Sequence, residues 1–506
     1  MAPKEFIVAI ELGSSKMTGI AGKKNLDGSI SILAVVKEDS SSFIRKGVIY
    51  NIDKTAQCIS NIVKRLTTQL KTSIVNVYVG VGGQSICSIK NVIVKNLPAD
   101  TIVTQEMVNE LMDANRNMSY QEQEILDAAT QEYKVDNQYQ IDPVGIQCTR
   151  LEGNFLNILW RKEFYRKLNK CFDMADVAIA EMYLAPLALA DSVLTDAEKR
   201  SGCALVDLGA DTTTVSVYYK NILRHLAVIP LGSNNITKDI ASLQMEESQA
   251  EEMKLKYANA WTDNSEIDNS LMLNIDGDRT VESRKFIEIV EGRVEEIIEN
   301  VWFQVPSEYA DRLLGGIILT GGGSNLRSIE TAFRNRTHVE KIRIARFVQQ
   351  SIQSKDPLIT SQNAMMNTVL GLLAKGDINC AGPEINGDLF GNNTGNQPGG
   401  TQNAAQSREP RKANEIEPGV VLTEAEKQKA EEERRRQEEL AEAERQREIE
   451  ENLRRQRELE EEERIAREEA ERLAREEAEE RRRNSPLSKM GRWLKDFGKK
   501  MVEDEE

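Results

Sequence analysis

Histidine is nearly missing from this chain, with only His225 and His338 in 506 residues. The six cysteines, Cys58, Cys87, Cys148, Cys171, Cys203 and Cys380, are scattered and form no CxxC pair. Structural zinc sites need clustered Cys and His, so this usage excludes one. Scattered thiols fit a reducing compartment, most simply the cytoplasm. Long apolar runs are also missing. The most apolar stretch, from Val177 to Leu194, is interrupted by Glu181, Pro186 and Asp191, whereas a bilayer-spanning helix needs ~20 nearly uncharged residues. The run up to Lys16 is too short and too charged for a signal peptide. Positive charge is in deficit, with 66 Lys and Arg against 82 Asp and Glu. A net charge of −16 speaks against nucleic acid as a partner, because phosphate backbones are bound by clustered cations. There is no Walker A lysine motif and no GxGxxG, which sets aside P-loop and Rossmann sites.

What is present divides the chain. The first ~380 residues alternate apolar and polar runs as a packed core requires. The last ~125 are polar and charged, with little to bury. Within the first part lies a duplication. The run Val8-Ala-Ile-Glu11-Leu-Gly13-Ser14-Ser15-Lys16 recurs as Ala204-Leu-Val-Asp207-Leu-Gly209-Ala210-Asp211-Thr212. Each copy is an apolar strand, an acid, Leu and Gly, followed by an alternating segment and a third strand. That pattern predicts a β-hairpin plus one strand, made twice, and hence two similar α/β lobes.

The turns carry the chemistry. Glycine lets backbone approach a ligand closely, and the small polar residues after it add amide and hydroxyl donors. Two such turns facing one another can clamp a polyphosphate. The strand-ending acids Glu11 and Asp207 suit a hydrated Mg2+, which takes one or two carboxylates plus water. A third turn, Gly321-Gly322-Gly323-Ser324-Asn325, follows the apolar run Gly316 to Thr320 and precedes a helical pattern from Leu326 to Arg336. Bare backbone in that context suits a nucleoside. Any one of these turns alone is more often just a turn; three in order, two of them duplicated, point to a nucleotide site.

Together these segments resemble the actin/Hsp70/sugar-kinase superfamily, with phosphate-1 at Glu11 to Lys16, phosphate-2 at Asp207 to Thr212 and the adenosine turn at Gly321 to Ser324. Within it the chain resembles the bacterial cell-division family FtsA from about Phe6 to Lys375. Val79-Gly-Val-Gly-Gly83, Glu132-Tyr-Lys-Val-Asp136, Asp142-Pro-Val-Gly145, Leu194-Thr-Asp-Ala-Glu198, Asn234 to Ile240 and Glu251-Glu-Met-Lys254 follow in the expected order. The resemblance implies an α/β, actin-like two-lobe fold that binds ATP and Mg2+. It implies nucleotide contacts from Gly13, Ser14, Ser15, Lys16, Asp207, Gly209, Asp211, Thr212, Glu251, Lys254, Gly321, Gly322, Gly323 and Ser324, with Glu11 and Asp207 holding the metal through water. Ala210 and Asp211 stand where the superfamily commonly has glycines, and Ser233 where a Gly-Gly pair is common. These changes speak against fast hydrolysis more than against binding, so ATP hydrolysis is expected to be slow or missing. Asp211 either turns outward or helps hold Mg2+. Glu181 is expected to open a helix, where Hsp70-like relatives carry a glutamate near the attacking water; a first-turn acid favoured by the helix dipole is the plainer reading.

The resemblance also implies an inserted subdomain, 1C, between residues 85 and 165, strand-like from Ile86 to Val94 and helix-like from Thr104 to Arg116. It contributes to filament contacts in the family. The division partner FtsZ is bound there through its C-terminal peptide on subdomain 2B. In this chain that surface is expected on a helix from Glu282 to Asn300, through Lys285 and Arg293.

Residues 382–421 are rich in Gly, Asn, Gln and Pro and read as a flexible linker. Residues 422–484 are mostly Glu, Arg, Ala, Gln and Leu, with i,i+4 pairs such as Glu431–Arg435 and Glu463–Arg467. No heptad is sustained, which predicts a solvated single helix. In residues 485–506, Pro486 starts a helix on which Leu487, Met490, Trp493, Leu494, Phe497 and Met501 share one face while Arg492 and Lys495 lie off it. That is the pattern of an interfacial helix on anionic lipid.

The expected organisation is residues 1–84 of the first lobe, an insert at 85–165, the rest of the core at 166–381, then the linker, the charged helix and the membrane-targeting helix. The expected function is a division protein that binds ATP, polymerises, anchors FtsZ to the inner membrane face at the septum and recruits later division proteins. A metabolite kinase of the same superfamily leaves the amphipathic segment unexplained, as does a pilus-assembly relative. A chaperone needs a β-rich substrate domain after the ATPase, and the tail has no strand pattern.

Overall fold

Both copies of the repeat fold as antiparallel meanders, and each founds a sheet. The first uses strands Ile7–Leu12, Lys16–Lys24 and Ile30–Asp39, with Glu11 paired to Thr18 and Thr18 to Lys37. The second uses Cys203–Leu208, Thr213–Tyr219 and Ile222–Ile229, with Asp207 paired to Thr214. The computed structural model describes residues 5–277 and 279–381.

In the first lobe the meander leads into helix Ile52–Leu70. Asn51 caps it by accepting from the Lys54 amide, and Lys71, in the left-handed region, ends it. Ile59, Ile62, Leu66 and Leu70 recur at helical spacing and are buried. The helix lies close on the sheet: a Cβ at Gly19 would fall 2.3 Å from Ile62 Cγ2. Strand Asn76–Val81 then returns parallel to Ile7–Leu12, which sets the acid of the first strand at one end of a six-stranded sheet. Helix Asn367–Lys375 comes against the sheet at Gly22 and Gly80, where Leu373 and Leu372 leave no room for a Cβ.

The second lobe adds strands Gly316–Thr320 and Ile342–Ile344 in parallel beside Cys203–Leu208. Its core is Val206, Val215, Val290, Ile298, Ile317 and Phe333, fed by the buried stripe of helix Ser283–Gln304. The observed helix runs past the expected Asn300 end. The helix expected from Leu326 begins instead at Ile329, because Ser328 takes left-handed φ (54°) after a short 3-10 turn, Gly322–Asn325.

The insert is built from long antiparallel strands Cys87–Ile102, Gln123–Val135 and Gln147–Arg161, with helix Gln105–Arg116 on one face. Thr104 caps that helix, and Val108 and Leu111 pack with Leu151, Tyr133 and Phe155. The first strand runs eight residues past the expected end at Val94, since a bulge near Cys148 lets pairing resume out to Ile102. The insert's sheet also runs on from the second lobe: Ala227 pairs with Cys87, giving one nine-stranded sheet. Arg224, almost fully buried, locks the joint by donating to Gln131 Oε1 at 3.3 Å and Glu132 Oε1 at 3.0 Å.

One expectation is corrected here. Glu181 does not open a helix; it lies within strand Ala178–Leu184, at an irregularity between Ile179 and Glu181. The helix starts at Ala185, because Pro186 in its first turn gives up no needed N–H.

Candidate functional site in the cleft between the lobes

The duplication holds down to single atoms in the two turns. A Cβ on Gly13 would sit 2.5 Å from the Lys16 carbonyl oxygen, and one on Gly209 would sit 2.6 Å from that of Thr212. Both turns are therefore closed in the same way, and both need glycine. In the second, the Gly209 amide donates to Thr212 O at 2.9 Å. Ser14 is buried, and its Oγ accepts from the Gly47 amide at 2.8 Å; Ser15 O accepts from the Ser40 amide at 3.1 Å. Lys16 is exposed at the start of its strand.

The third glycine turn reaches the second because its strand pairs in parallel, Thr320 beside Asp207. Gly321 has φ of +80°, and a Cβ there would lie 2.3 Å from Asp207 Oδ1 and 2.7 Å from Leu208 O. Gly323 is similarly close to Leu208 Cβ, at 2.9 Å. Gly322 lies more openly under Met365, and buried Ser324 donates from Oγ to Gly321 O at 2.7 Å.

Glu11 and Asp207 come together from opposite lobes. Burial, reinforced by the charge of Asp207 and opposed by Lys37, raises the Glu11 pKa to about 8. Burial raises that of Asp207 to about 6. Both keep some exposure to solvent. Two strand-ending carboxylates whose charged forms are disfavoured are suited to a divalent cation, which offsets both the desolvation and the mutual repulsion. Among the described residues no three His, Cys, Asp or Glu side chains converge as a metal cluster, so the pair would share such an ion with water or ligand oxygens.

Glu251 and Lys254 stand behind the second turn. The buried Lys254 ammonium lies 2.7 Å from Glu251 Oε2 and donates to Thr237 Oγ1 at 2.8 Å and Ser233 O at 3.2 Å. Ser233 N in turn donates to Gly209 O at 3.0 Å, so this cluster braces the turn from below. Asp211 accepts from Asn234 Nδ2 at 2.8 Å and from the Lys46 amide at 3.3 Å. Glu181 is not brought to the cleft acids. It sits on the edge strand and accepts from the Tyr183 hydroxyl at 2.9 Å, beside the Tyr78–Tyr183 ring stack.

Lys285 is exposed on helix Ser283–Gln304. Arg293, expected to offer a free cation, is already engaged: it holds Asp239 through Nε at 2.5 Å and Nη2 at 3.1 Å, and it also pairs with Glu296. The set expected to engage the membrane, Leu487, Met490, Arg492, Trp493, Leu494, Lys495, Phe497 and Met501, lies outside the described residues.

Sequence reasoning missed Lys37, Lys46 and Gly47, and noted Asn234 only as part of a family stretch, not for its bond to Asp211. Lys37 was legible only through cross-strand register, since Thr18 pairs with both Glu11 and Lys37. Burial and Lys16 lower the pKa of Lys37, and Glu11 opposes them. The Lys46–Gly47 turn left no local motif, because its partners are far off in the chain.

Comparisons with known proteins agree with this architecture. A family model described as "Cell division protein FtsA" matches residues 204–370. A second, "SHS2 domain inserted in FTSA", matches residues 83–159. The cell division protein FtsA of Porphyromonas gingivalis is 31% identical over 332 residues, which is 64% of this chain and 69% of that protein. The Bacillus subtilis protein of the same name is 31% identical, over 64% of this chain and 74% of its own. That of Pseudomonas aeruginosa is 28% identical, over 74% and 89%. A solved structure titled "PilM-PilN type IV pilus biogenesis complex" shares the fold with a TM-score of 0.50 at 14% identity, over 73% of this chain and 98% of that one. Two matching family models and relatives above 30% identity over more than two thirds of their length place this actin-like chain, with its inserted SHS2 domain, in the FtsA family of cell division proteins.

Proposed function

We propose that this division protein binds Mg-ATP between its lobes, assembles with copies of itself into an actin-like filament, and ties FtsZ to the inner face of the cytoplasmic membrane at the septum, where later division proteins join. The observation that carries the nucleotide part is the convergence of Glu11, Asp207 and Gly321 at three turns that a side chain would obstruct. Backbone amides of Gly13 to Lys16 and of Ala210 to Thr212, in the turn that the Gly209 amide closes on Thr212 O, would cradle the phosphates. The bare backbone of Gly321 to Ser324 would lie under the nucleoside. Glu11 and Asp207 would hold hydrated Mg2+, which neutralises phosphate charge. Closure of the cleft on nucleotide would shift the population towards the assembling form.

Lys285 on helix Ser283–Gln304 is the cation available to an acidic FtsZ peptide. Arg293 would join it only by exchanging Asp239 and Glu296 for the peptide. Residues 485–506 would supply the lipid anchor. One short interfacial helix attaches marginally, and a filament multiplies it by avidity, which is a physical reason to couple assembly to the membrane.

Co-sedimentation with anionic liposomes, with and without ATP and purified FtsZ, tests the whole reading on the intact chain and on one ending at Arg483. The intact chain is expected to pellet and carry FtsZ with it, and the shortened chain to stay in solution. Equal pelleting of both chains would overturn the anchor.

A further inference from the structure

The turn Lys46–Gly47 touches both glycine turns of the cleft at once. Its two successive amides are divided between the lobes: Gly47 N donates to Ser14 Oγ at 2.8 Å, and Lys46 N donates to Asp211 Oδ2 at 3.3 Å. Both residues have positive φ, 51° and 71°. The turn is also pinned from behind, since a Cβ on Gly47 would fall 2.3 Å from Gly83 Cα. It therefore presents its amides at a fixed place rather than following whatever binds them.

Asp211 is held just as firmly on its own side. Oδ1 accepts from Asn234 Nδ2 at 2.8 Å, the Asn234 amide donates to Ala210 O at 2.8 Å, and Gly232 is so close to Ala210 O (2.4 Å from its would-be Cβ) that the loop has no slack. A carboxylate is thus bonded to a backbone amide of the opposite lobe, at the entrance to a site built for phosphate. Asp211 puts this carboxylate on the phosphate-type turn itself, held by Asn234 and Lys46, where an arriving polyphosphate would bring further negative charge. Like charges at a few ångströms in a partly shielded cleft weaken binding appreciably unless a cation is interposed.

We propose that Asp211 is a built-in anion that latches the lobes together through the Lys46 amide when the cleft has no ligand, and that makes the cleft select polyphosphates carrying a divalent cation over bare ones. The selection rests on the nucleotide reading above; the latch does not. The carboxylate keeps the amide until a phosphate oxygen takes it, and the cation offsets the charge then crowded beside the displaced side chain.

Residue-resolved hydrogen exchange and nucleotide titrations on the full chain test both halves, with Asp211→Ala and the more conservative Asp211→Asn compared with wild type. Without ligand, Asp211→Ala is expected to speed exchange at the Lys46 amide by about tenfold while leaving Gly47, held by Ser14, nearly unchanged. Asp211→Asn is expected to bind ATP without Mg2+ about tenfold more tightly than wild type and MgATP with a much smaller gain. Unchanged exchange at Lys46 in Asp211→Ala overturns the latch. Equal shifts for ATP and MgATP, or none, overturn the selection. If no form binds nucleotide while Lys46 exchange still rises, the nucleotide reading and the selection fall together and the latch stands.

Discussion

Asp207 Oδ1 lies 2.3 Å from where a Cβ on Gly321 would have to be. The third glycine turn thus depends on a bare residue to reach the carboxylate that ends the first strand of the second repeat. Gly321→Ala must push that carboxylate away and also hold alanine at φ of +80°. The expected outcome is a loss of roughly 1–3 kcal/mol in stability and of measurable ATP binding. Denaturant unfolding and nucleotide titration check it, with Gly322→Ala as the control. That position has only Met365 atoms at 3.7 Å and beyond, so its variant should keep wild-type stability.

The cleft acids make stability depend on pH in an uncommon direction. Glu11 has its folded pKa raised to about 8, chiefly by burial and then by Asp207. A raised acid is protonated in the folded chain while already ionised in the unfolded one. Stability is therefore highest near the unfolded value and falls as pH climbs towards 8. Glu11→Gln removes that penalty. Its melting temperature is expected to exceed the wild type's by about 2–4 °C at pH 8, if ~1 kcal/mol is recovered, with the gap closing by pH 5. Equal melting curves across this range would show that the Glu11 site is not desolvated in solution.

The pair Arg343–Glu198 should behave in the opposite way. Burial pushes Glu198 up, but two hydrogen bonds from Arg343, at 2.7 and 2.8 Å, and the Thr195 cap outweigh it, leaving a pKa of about 2. Its stabilisation is present above the ordinary carboxylate range and is lost as pH falls from there through 2. Arg343→Met is expected to melt well below wild type at pH 7, with the difference shrinking on acidification. A gap that stays constant down to pH 3 would contradict this.

Arg224 secures the insert to the second lobe. With its guanidinium buried and shared between Gln131 and Glu132, Arg224→Ala leaves those acceptors short of a donor. The expected cost is roughly 2–4 kcal/mol. A double-mutant cycle with Glu132→Ala should return a coupling of about 1–2 kcal/mol. Additive effects would mean that the joint rests instead on the Ala227–Cys87 strand pairing and on the bonds from Gln131 Nε2 to Leu223 O and from Leu226 N to Ser88 Oγ.

The sequence by itself determined the strand–turn–strand units around Glu11 and Asp207. Alternation, a closing acid and glycine are local signals that a chain writes into consecutive residues, and duplication made them readable twice. It also marked the third glycine turn, although the helix after it starts later because Ser328 takes left-handed φ. Glu181 was misread because acid and proline near an apolar run fit a helix start equally well one turn too early, and only sheet pairing with Asn76–Val81 decided for strand. Tertiary structure alone decided which side chains are spent. Arg293 and Lys254 each have an acid three residues off, Glu296 and Glu251, but the further partners that hold them, Asp239 and Thr237, lie many residues away. It alone also brought Lys46 to Asp211 and Arg224 to Glu132, because register across strands and packing between lobes depend on summed contacts that no short window of sequence records.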